Sequence, residues 1–201
     1  MSMLSLDEGK TLVRITRDRI RSHLQGKAYV PEEAGPFLRD KSGVFVTLNT
    51  YPDKNLRGCI GFPEPVYPLI DALLDAAIAS ATNDPRFYPV KLKEIDNIVI
   101  EVTVLSSPEL ITGVSGRGYL DAVEIGRDGL IVEKGFYKGL LLPQVPIEWN
   151  WKKEEFLSHT CIKAGLPPDS WLNDDDIKIY RFSGQIFSER EPGGNVVELQ
   201  R

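Results

Sequence analysis

Cysteine and histidine are scarce in this sequence. Cys59 and Cys161 are the only cysteines, and His23 and His159 the only histidines, among 201 residues. Two thiols cannot supply a disulfide framework, and neither Cys-x-x-Cys nor His-Glu-x-x-His occurs. We therefore expect free thiols in a reducing compartment, no structural zinc, and no metal or other cofactor.

Long apolar runs and an excess of basic residues are also absent. No stretch reaches the roughly 18 apolar residues of a membrane-spanning helix, and the first eight residues lack the basic-then-apolar order of a signal peptide. A net charge of -5, from 24 basic and 29 acidic residues, argues against binding of nucleic acid by bulk electrostatics and leaves a local basic patch as the alternative. No glycine-rich phosphate loop follows a predicted strand. The sequence predicts a cytoplasmic protein that does not bind membranes.

Hydrophobic periodicity predicts the fold class. Apolar residues recur at helical spacing in the segments 7–25, 69–81 and 152–164. Strands are predicted at residues 43–49, 56–62, 97–105, 123–125, 130–133, 139–142 and 177–187. This order indicates an α+β fold with mostly antiparallel sheets and helices packed on their faces. We expect one domain over residues 1–201, with its core at 7–188 and a frayed tail at 189–201; two lobes around a cleft are the alternative.

The segment Leu-Arg-Gly-Cys-Ile-Gly at 56–61 places a guanidinium and a thiol in a predicted strand. Because side chains alternate along a strand, Arg57 and Cys59 share a face, with their Cα atoms about 7 Å apart. In a symmetric hairpin, Asn49 and Thr47 lie opposite them. A nearby guanidinium favours the thiolate, so Cys59 is a candidate nucleophile. The alternative is that Cys59 is a small buried side chain and Arg57 a structural ion-pair partner.

Further polar residues are candidates for the same pocket. Glu101 lies among apolar neighbours in a predicted strand, needs a partner if buried, and is the third candidate catalytic residue. The candidate substrate-binding residues are Asn49, Asp84, Arg86, Arg127, Gln144, Glu148 and Trp149. Guanidinium groups suit carboxylate or phosphate recognition, although ion pairing within the protein explains each arginine equally well. Core packing is the alternative for Trp149.

Four motifs, in this order, resemble the AMMECR-like proteins, named for a human chromosomal deletion region and found also in archaea and bacteria. They are residues 56–61, Asp-Pro-Arg-Phe at 84–87, Gly-Arg-Asp-Gly-Leu-Ile-Val at 126–132, and Leu-Leu-Pro-Gln-Val-Pro at 141–146 followed by Glu148 and Trp149. The resemblance covers most of the chain. It implies an α+β fold with a sheet-lined cleft and, through fusion or genomic association, Memo-type or radical-SAM proteins as partners. It implies no assigned reaction.

Two functional hypotheses follow. The first is a thiol enzyme in which Cys59 is nucleophile or acid/base, Arg57 tunes it and orients a small anionic or modified substrate, and Glu101 and Gln144 complete the pocket. The second is a non-catalytic binding or adaptor module that presents the same cleft to a protein partner.

Overall fold

Helices and strands both occur in the computed structural model, which describes residues 3–31 and 35–199. The helices are α1 (Leu6–Leu24), α2 (Leu69–Thr82), α3 (Tyr119–Ala122), α4 (Val145–Glu148), α5 (Lys153–Lys163) and α6 (Ser170–Asn173). The strands are β1 (Val44–Thr50), β2 (Leu56–Phe62), β3 (Ile98–Leu105), β4 (Glu109–Leu110), β5 (Gly129–Lys134), β6 (Tyr137–Leu141), β7 (Lys178–Phe182), β8 (Gly184–Glu189) and β9 (Val196–Leu199). Short 3-10 helices occupy Pro36–Arg39, Leu92–Asn97 and Gly116–Gly118.

Contacts divide the chain into two compact units. The first lies within residues 1–106 and 185–200, and the second within residues 107–184. Each unit has its own sheet and its own hydrophobic core. The predicted α+β class with antiparallel sheets is confirmed.

The first unit is a five-stranded sheet in the order β2-β1-β3-β8-β9 with two long helices in its core. Strand β1 lies between β2 and β3 and is antiparallel to both. Alternate residues of β1 are fully buried, and they pack with the apolar stripes of α1 and α2. The helix α1 begins at a capping box, in which Ser5 and Glu8 exchange side-chain and backbone hydrogen bonds.

A buried ion pair joins α1 to β8. Arg17 Nε donates to Glu189 Oε1 at 2.7 Å, and its Nη1 and Nη2 donate to the carbonyls of Ile95 and Ile98 at 3.0 and 2.6 Å. Glu189 Oε2 also accepts the Ile100 N–H at 2.9 Å. Both charged side chains are almost fully buried. The pair therefore fastens α1, the 3-10 helix before β3, β3 and β8 at one place.

The second unit is a four-stranded sheet in the order β4-β7-β5-β6. Strand β5 pairs antiparallel with both β6 and β7. The apolar side of α5, which includes Phe156 and Leu157, packs with Leu130, Val132 and Ile179 in this core.

Three boundary predictions are wrong. The predicted strand 177–187 is two strands, β7 and β8, which belong to different sheets and are separated at Ser183. Residues 123–125 follow α3 as non-strand backbone. The predicted frayed tail 189–201 contains β9, which pairs with β8 through the register Glu189 to Val196 and Ile186 to Leu199; residues 200 and 201 lie outside the described part.

None of the helices in the described ranges combines the length and the apolarity that crossing a membrane requires.

The buried ion pair gives a stability prediction. Replacing Arg17 by Met leaves the Glu189 carboxylate buried without its guanidinium, so we expect the first unit to lose about 3 kcal/mol of unfolding free energy. The measurement is hydrogen exchange of peptides from β3, because all three tryptophans lie in the second unit and their fluorescence does not report this core.

Arg21 provides the matched control on the same helix. Its partner Asp96 is 76% exposed, so Arg21→Met should change stability by less than about 0.5 kcal/mol. Equal losses of protection in the two variants would show that the Arg17 pair is not a fastening point.

Candidate functional site

The β1–β2 hairpin places Cys59 opposite Thr47. Cys59 is partly buried, and its Sγ lies 3.2 Å from Thr47 Oγ1. The backbone N–H and C=O of Cys59 bond to residues outside the hairpin, so Cys59 and Thr47 form the non-hydrogen-bonded kind of pair, in which side chains approach most closely. The predicted pairing of Thr47 with Cys59 is confirmed.

Thr47 also lies opposite Glu101 on its other side, in β3. Directly opposite residues on antiparallel strands share a face, with Cβ atoms about 4.5–5.5 Å apart. Cys59, Thr47 and Glu101 therefore form one row across three strands, which we call the thiol row. Glu101 is buried at 5% exposure. The row places a thiol, a hydroxyl and a carboxylate side by side on one face of the sheet.

Two side chains close the free edge of β2 at Cys59. Asp84 Oδ2 accepts the Cys59 N–H at 2.8 Å, and Arg86 Nη2 donates to the Cys59 carbonyl at 3.1 Å. Arg86 Nε and Nη2 also donate to the two Asp84 oxygens at 2.9 and 2.7 Å. Since β2 is an edge strand, its outward backbone groups would otherwise lack partners in the sheet. We call Asp84 and Arg86 the edge clip.

The edge clip is ionised at neutral pH. The hydrogen bond from the Arg86 side chain holds the pKa of Asp84 well below its usual range; the backbone N–H groups of Cys59 and Arg86 lower it further, while burial opposes them. The hydrogen bond to Asp84 in turn raises the pKa of Arg86. Electrostatic attraction from Cys59 raises this pKa by a smaller amount. Asp84 is 1% exposed and Arg86 is 53% exposed. Arg86 thus brings a permanent positive charge to Cys59.

Gly58 is explained by packing against α2. A Cβ atom at residue 58 would lie 2.1 Å from the Ser80 carbonyl oxygen of that helix. Only glycine permits this approach without displacing the helix backbone. At this position another backbone, not a ligand, occupies the space that the missing side chain leaves.

Arg57 lies at a bulge. The register of the hairpin shifts between Leu48 and Asn49, and Asn49 pairs with Leu56, which leaves Arg57 as the extra residue of β2. The prediction that Asn49 lies opposite Arg57 is therefore wrong. Arg57 Nε and Nη2 lie 3.2 and 3.1 Å from Glu94 Oε2. The guanidinium is held by this carboxylate, whereas Arg86 bonds to Cys59 itself.

Arg127, in the second unit, is also bound to carboxylates. Its Nε and Nη2 each donate to an Asp128 oxygen at 2.8 Å, and its Nη1 lies 2.7 Å from Glu124 Oε2. The hydrogen bond to Asp128 raises the pKa of Arg127. All three arginines predicted to bind anions thus have an acidic partner in the protein, as the alternative interpretation expects.

Gln144, Glu148 and Trp149 lie together at α4. The Gln144 carbonyl accepts the Glu148 N–H at 3.0 Å at the start of this helix. Trp149 is 68% exposed, so core packing does not explain it. Its ring lies 6.1 Å from that of Trp151, which stacks on His159 at 3.9 Å. These three rings form an aromatic stack, in which Trp149 is exposed and Trp151 and His159 are half-buried.

Cys161 belongs to the buried core of the second unit. Burial raises the pKa of its thiol to about 11, as expected for an unreactive cysteine. Over residues 3–31 and 35–199, no three His, Cys, Asp or Glu side chains are grouped in a way that could hold a metal ion.

Sequence reasoning missed two residues of the site. Thr47 was identified only as a strand neighbour, although the alternation of β1 and β2 already places its hydroxyl beside the thiol. Glu94, the partner of Arg57, gave no signal, because it lies on a 3-10 helix that periodicity does not detect.

Comparisons with known proteins agree on one family. The AMMECR1 family model matches residues 13–187. Protein MJ0810 of Methanocaldococcus jannaschii is 57% identical over 198 residues, 98% of each chain. Protein PH0010 of Pyrococcus horikoshii is 56% identical over 94% of this chain and 93% of its own. The crystal structure of PH0010 superposes with a TM-score of 0.79 at 55% identity, over 96% of this chain and 97% of that one.

The edge clip predicts a pH dependence of stability. Asp84→Asn removes the charge that holds Arg86, so we expect about 2 kcal/mol less unfolding free energy at pH 7. Because the pKa of Asp84 is lower in the folded state, its stabilisation is complete above the unfolded pKa of about 4 and is lost as the pH falls below it. The difference between wild type and variant should therefore shrink below pH 4, by up to about 1.4 kcal/mol per unit.

Urea unfolding followed by circular dichroism at pH 7, 4 and 3 measures this difference. Asp75, an exposed aspartate on α2, is the control, and Asp75→Asn should stay within about 0.5 kcal/mol of wild type. A difference for Asp84→Asn that does not change with pH would contradict the ionised clip.

Proposed function

This chain belongs to the AMMECR1 family, and we propose that Cys59 is its reactive thiol, acting on a small anionic or modified substrate. The observation that carries the proposal is the contact of the partly buried Cys59 Sγ with Thr47 Oγ1 at 3.2 Å, in a row that ends at Glu101. In this proposal Cys59 is nucleophile or acid/base, and Glu101 exchanges protons with it through Thr47.

The hydroxyl of Thr47 suits this proton relay between Cys59 and Glu101, because a hydroxyl can donate one hydrogen bond and accept another. It can accept the S–H of the neutral thiol, and it can donate to the thiolate. Hydrogen bonds to an ionised partner are about twice as strong as neutral ones, so removal of this hydroxyl should slow a reaction of the sulfur. A carboxylate on the other side of the hydroxyl completes a path for the proton.

The guanidinium that bonds to Cys59 belongs to Arg86. Arg86 bonds directly to the Cys59 carbonyl, whereas Arg57 is held by Glu94. A fixed guanidinium beside a cysteine favours its thiolate. We therefore assign the tuning of Cys59 to Arg86, and to Arg57 the orientation of an anionic substrate group. Gln144, Glu148, Trp149 and Arg127 lie in the second unit, and we propose them as binding residues of that unit.

Alkylation by iodoacetamide tests the thiol. The Cys59 sulfur forms a bond to carbon, iodide leaves with the C–I electron pair, and the thiol proton passes to the relay or to water. We expect Cys59 to react in the native protein and Cys161 to react only after unfolding, because Cys161 is fully buried. The site of labelling is read by peptide mass spectrometry.

Thr47→Val isolates the hydroxyl, since valine has nearly the same shape. We expect it to slow alkylation of Cys59 at pH 7 about tenfold, from the loss of a hydrogen bond worth roughly 1.5 kcal/mol to a charged acceptor. Thr47→Ser should restore the rate. Thr103→Val, which changes a threonine opposite Phe45 in the same sheet, is the matched control and should leave the rate unchanged. Equal rates in Thr47→Val and Thr103→Val would refute the relay.

The aromatic stack favours a second candidate function, a binding or adaptor module. An exposed tryptophan is a frequent anchor in protein interfaces, and Trp149 is 68% exposed. The family resemblance implies a Memo-type or radical-SAM protein as the partner.

This second candidate makes a different prediction. If the chain is an adaptor, Trp149→Ala should abolish co-elution with a purified Memo-type protein in size-exclusion chromatography, and Cys59→Ser should leave it intact. Co-elution that is unaffected by Trp149→Ala, or no complex with the unmodified chain, would argue against this function.

A further inference from the structure

A pocket of about 310 Å³ opens beside Arg57, where the β1–β2 turn meets the 3-10 helix before β3. Its walls include Tyr51, Arg57, Lys93, Glu94, Asn97 and Ile98. This volume is at the lower end of the range for small-molecule sites, about 300–1,000 Å³. Cys59 is not among the lining residues, so the pocket is separate from the sulfur although it shares the strand β2.

The pocket wall is fixed by hydrogen bonds. Glu94 Oε1 accepts the Lys91 N–H at 2.8 Å, and its Oε2 lies 3.1 Å from Arg57 Nη2. The Tyr51 N–H donates to the Asn97 carbonyl at 2.8 Å, which ties the turn to the 3-10 helix. The Arg57–Glu94 pair and the backbone of the turn are therefore positioned before a ligand arrives, which lowers the entropic cost of binding.

The charge balance of the pocket favours an anion. Arg57 and Glu94 neutralise each other, and Lys93 adds a second positive charge. In the part of the chain that the structure describes, Lys93 has no ion-pair partner within 4.0 Å. The side chains of Lys93 and Asn97 are exposed and offer an ammonium and an amide to a ligand.

The pocket walls formed by Tyr51 and Ile98 favour an anionic ligand that also carries a flat apolar group. Tyr51 lines the pocket and is 40% exposed, whereas Ile98 lines it from the buried core. A cation and an amide on one wall and a ring on another fit a compact ligand with a charged end and a planar body.

We propose that this pocket binds a small organic anion, a carboxylate or a phosphate ester, with Lys93 and Asn97 contacting the charged group and Tyr51 the planar body. The inference rests on the proposed function in one respect, that an anionic group binds beside Arg57, and it does not depend on the reactivity of Cys59.

Titrations of the ¹⁵N-labelled chain with benzoate and, separately, with phenyl phosphate test the pocket by NMR. We expect saturable shifts of the Tyr51 and Asn97 amides with at least one probe, and the tighter probe distinguishes a carboxylate from a phosphate ligand. Lys93→Gln and Asn97→Ala should each raise the dissociation constant at least fivefold. Lys27→Gln removes the same charge from an exposed site in the first unit and should not change it.

Shifts that do not saturate with either probe, or equal dissociation constants in Lys93→Gln and Lys27→Gln, would overturn the proposal. The same titration on Cys59→Ser separates this inference from the thiol site. If a probe binds but Cys59 is unreactive, the pocket is a ligand site without thiol chemistry. A reactive Cys59 without probe binding refutes the pocket alone.

Discussion

The ionised carboxylate of Asp84 is the constraint on which the arrangement around Cys59 depends. It is buried, accepts the Cys59 N–H and holds Arg86 against the Cys59 carbonyl, so side chains close the edge that a further strand would otherwise cover. With these backbone groups directed outward, the Cys59 side chain pairs laterally with Thr47. Gly58 lets α2 pack directly on β2, and this helix leads into the segment that carries Asp84. The motifs at 56–61 and 84–87 therefore depend on each other for their structure.

The face that carries Cys59 could be predicted from sequence, because alternation along a strand depends only on local backbone geometry. The pairing with Thr47 followed from a symmetric hairpin. The position of Arg57 could not be predicted, because a bulge leaves the hydrophobic pattern unchanged and Glu94 reaches Arg57 only through tertiary packing. For the same reason, the sequence offered internal ion pairs as alternatives for the arginines but could not identify the carboxylates.

The long helices and the hairpin were predictable for similar reasons, since their apolar patterns are strong and local. The change of sheet at Ser183 has no such signal: apolar residues continue on both sides of it. Glu189 resembles the start of a polar tail, and its burial depends on Arg17, which is 172 positions away in the sequence. A contact of that separation cannot be inferred from periodicity.

The division of the chain has a consequence for its synthesis. The second unit is a continuous segment, whereas the first needs residues from both ends of the described chain. On a ribosome, the second unit has all its strands available before β8 and β9 emerge. Until then α1 lacks Glu189, and β3 lacks its neighbour β8. Cys59 is therefore translated before the second unit, but the unit that contains it can complete its fold only after β8 and β9 have emerged. During synthesis its thiol lies in an incompletely folded unit for longer than the thiol of Cys161 does.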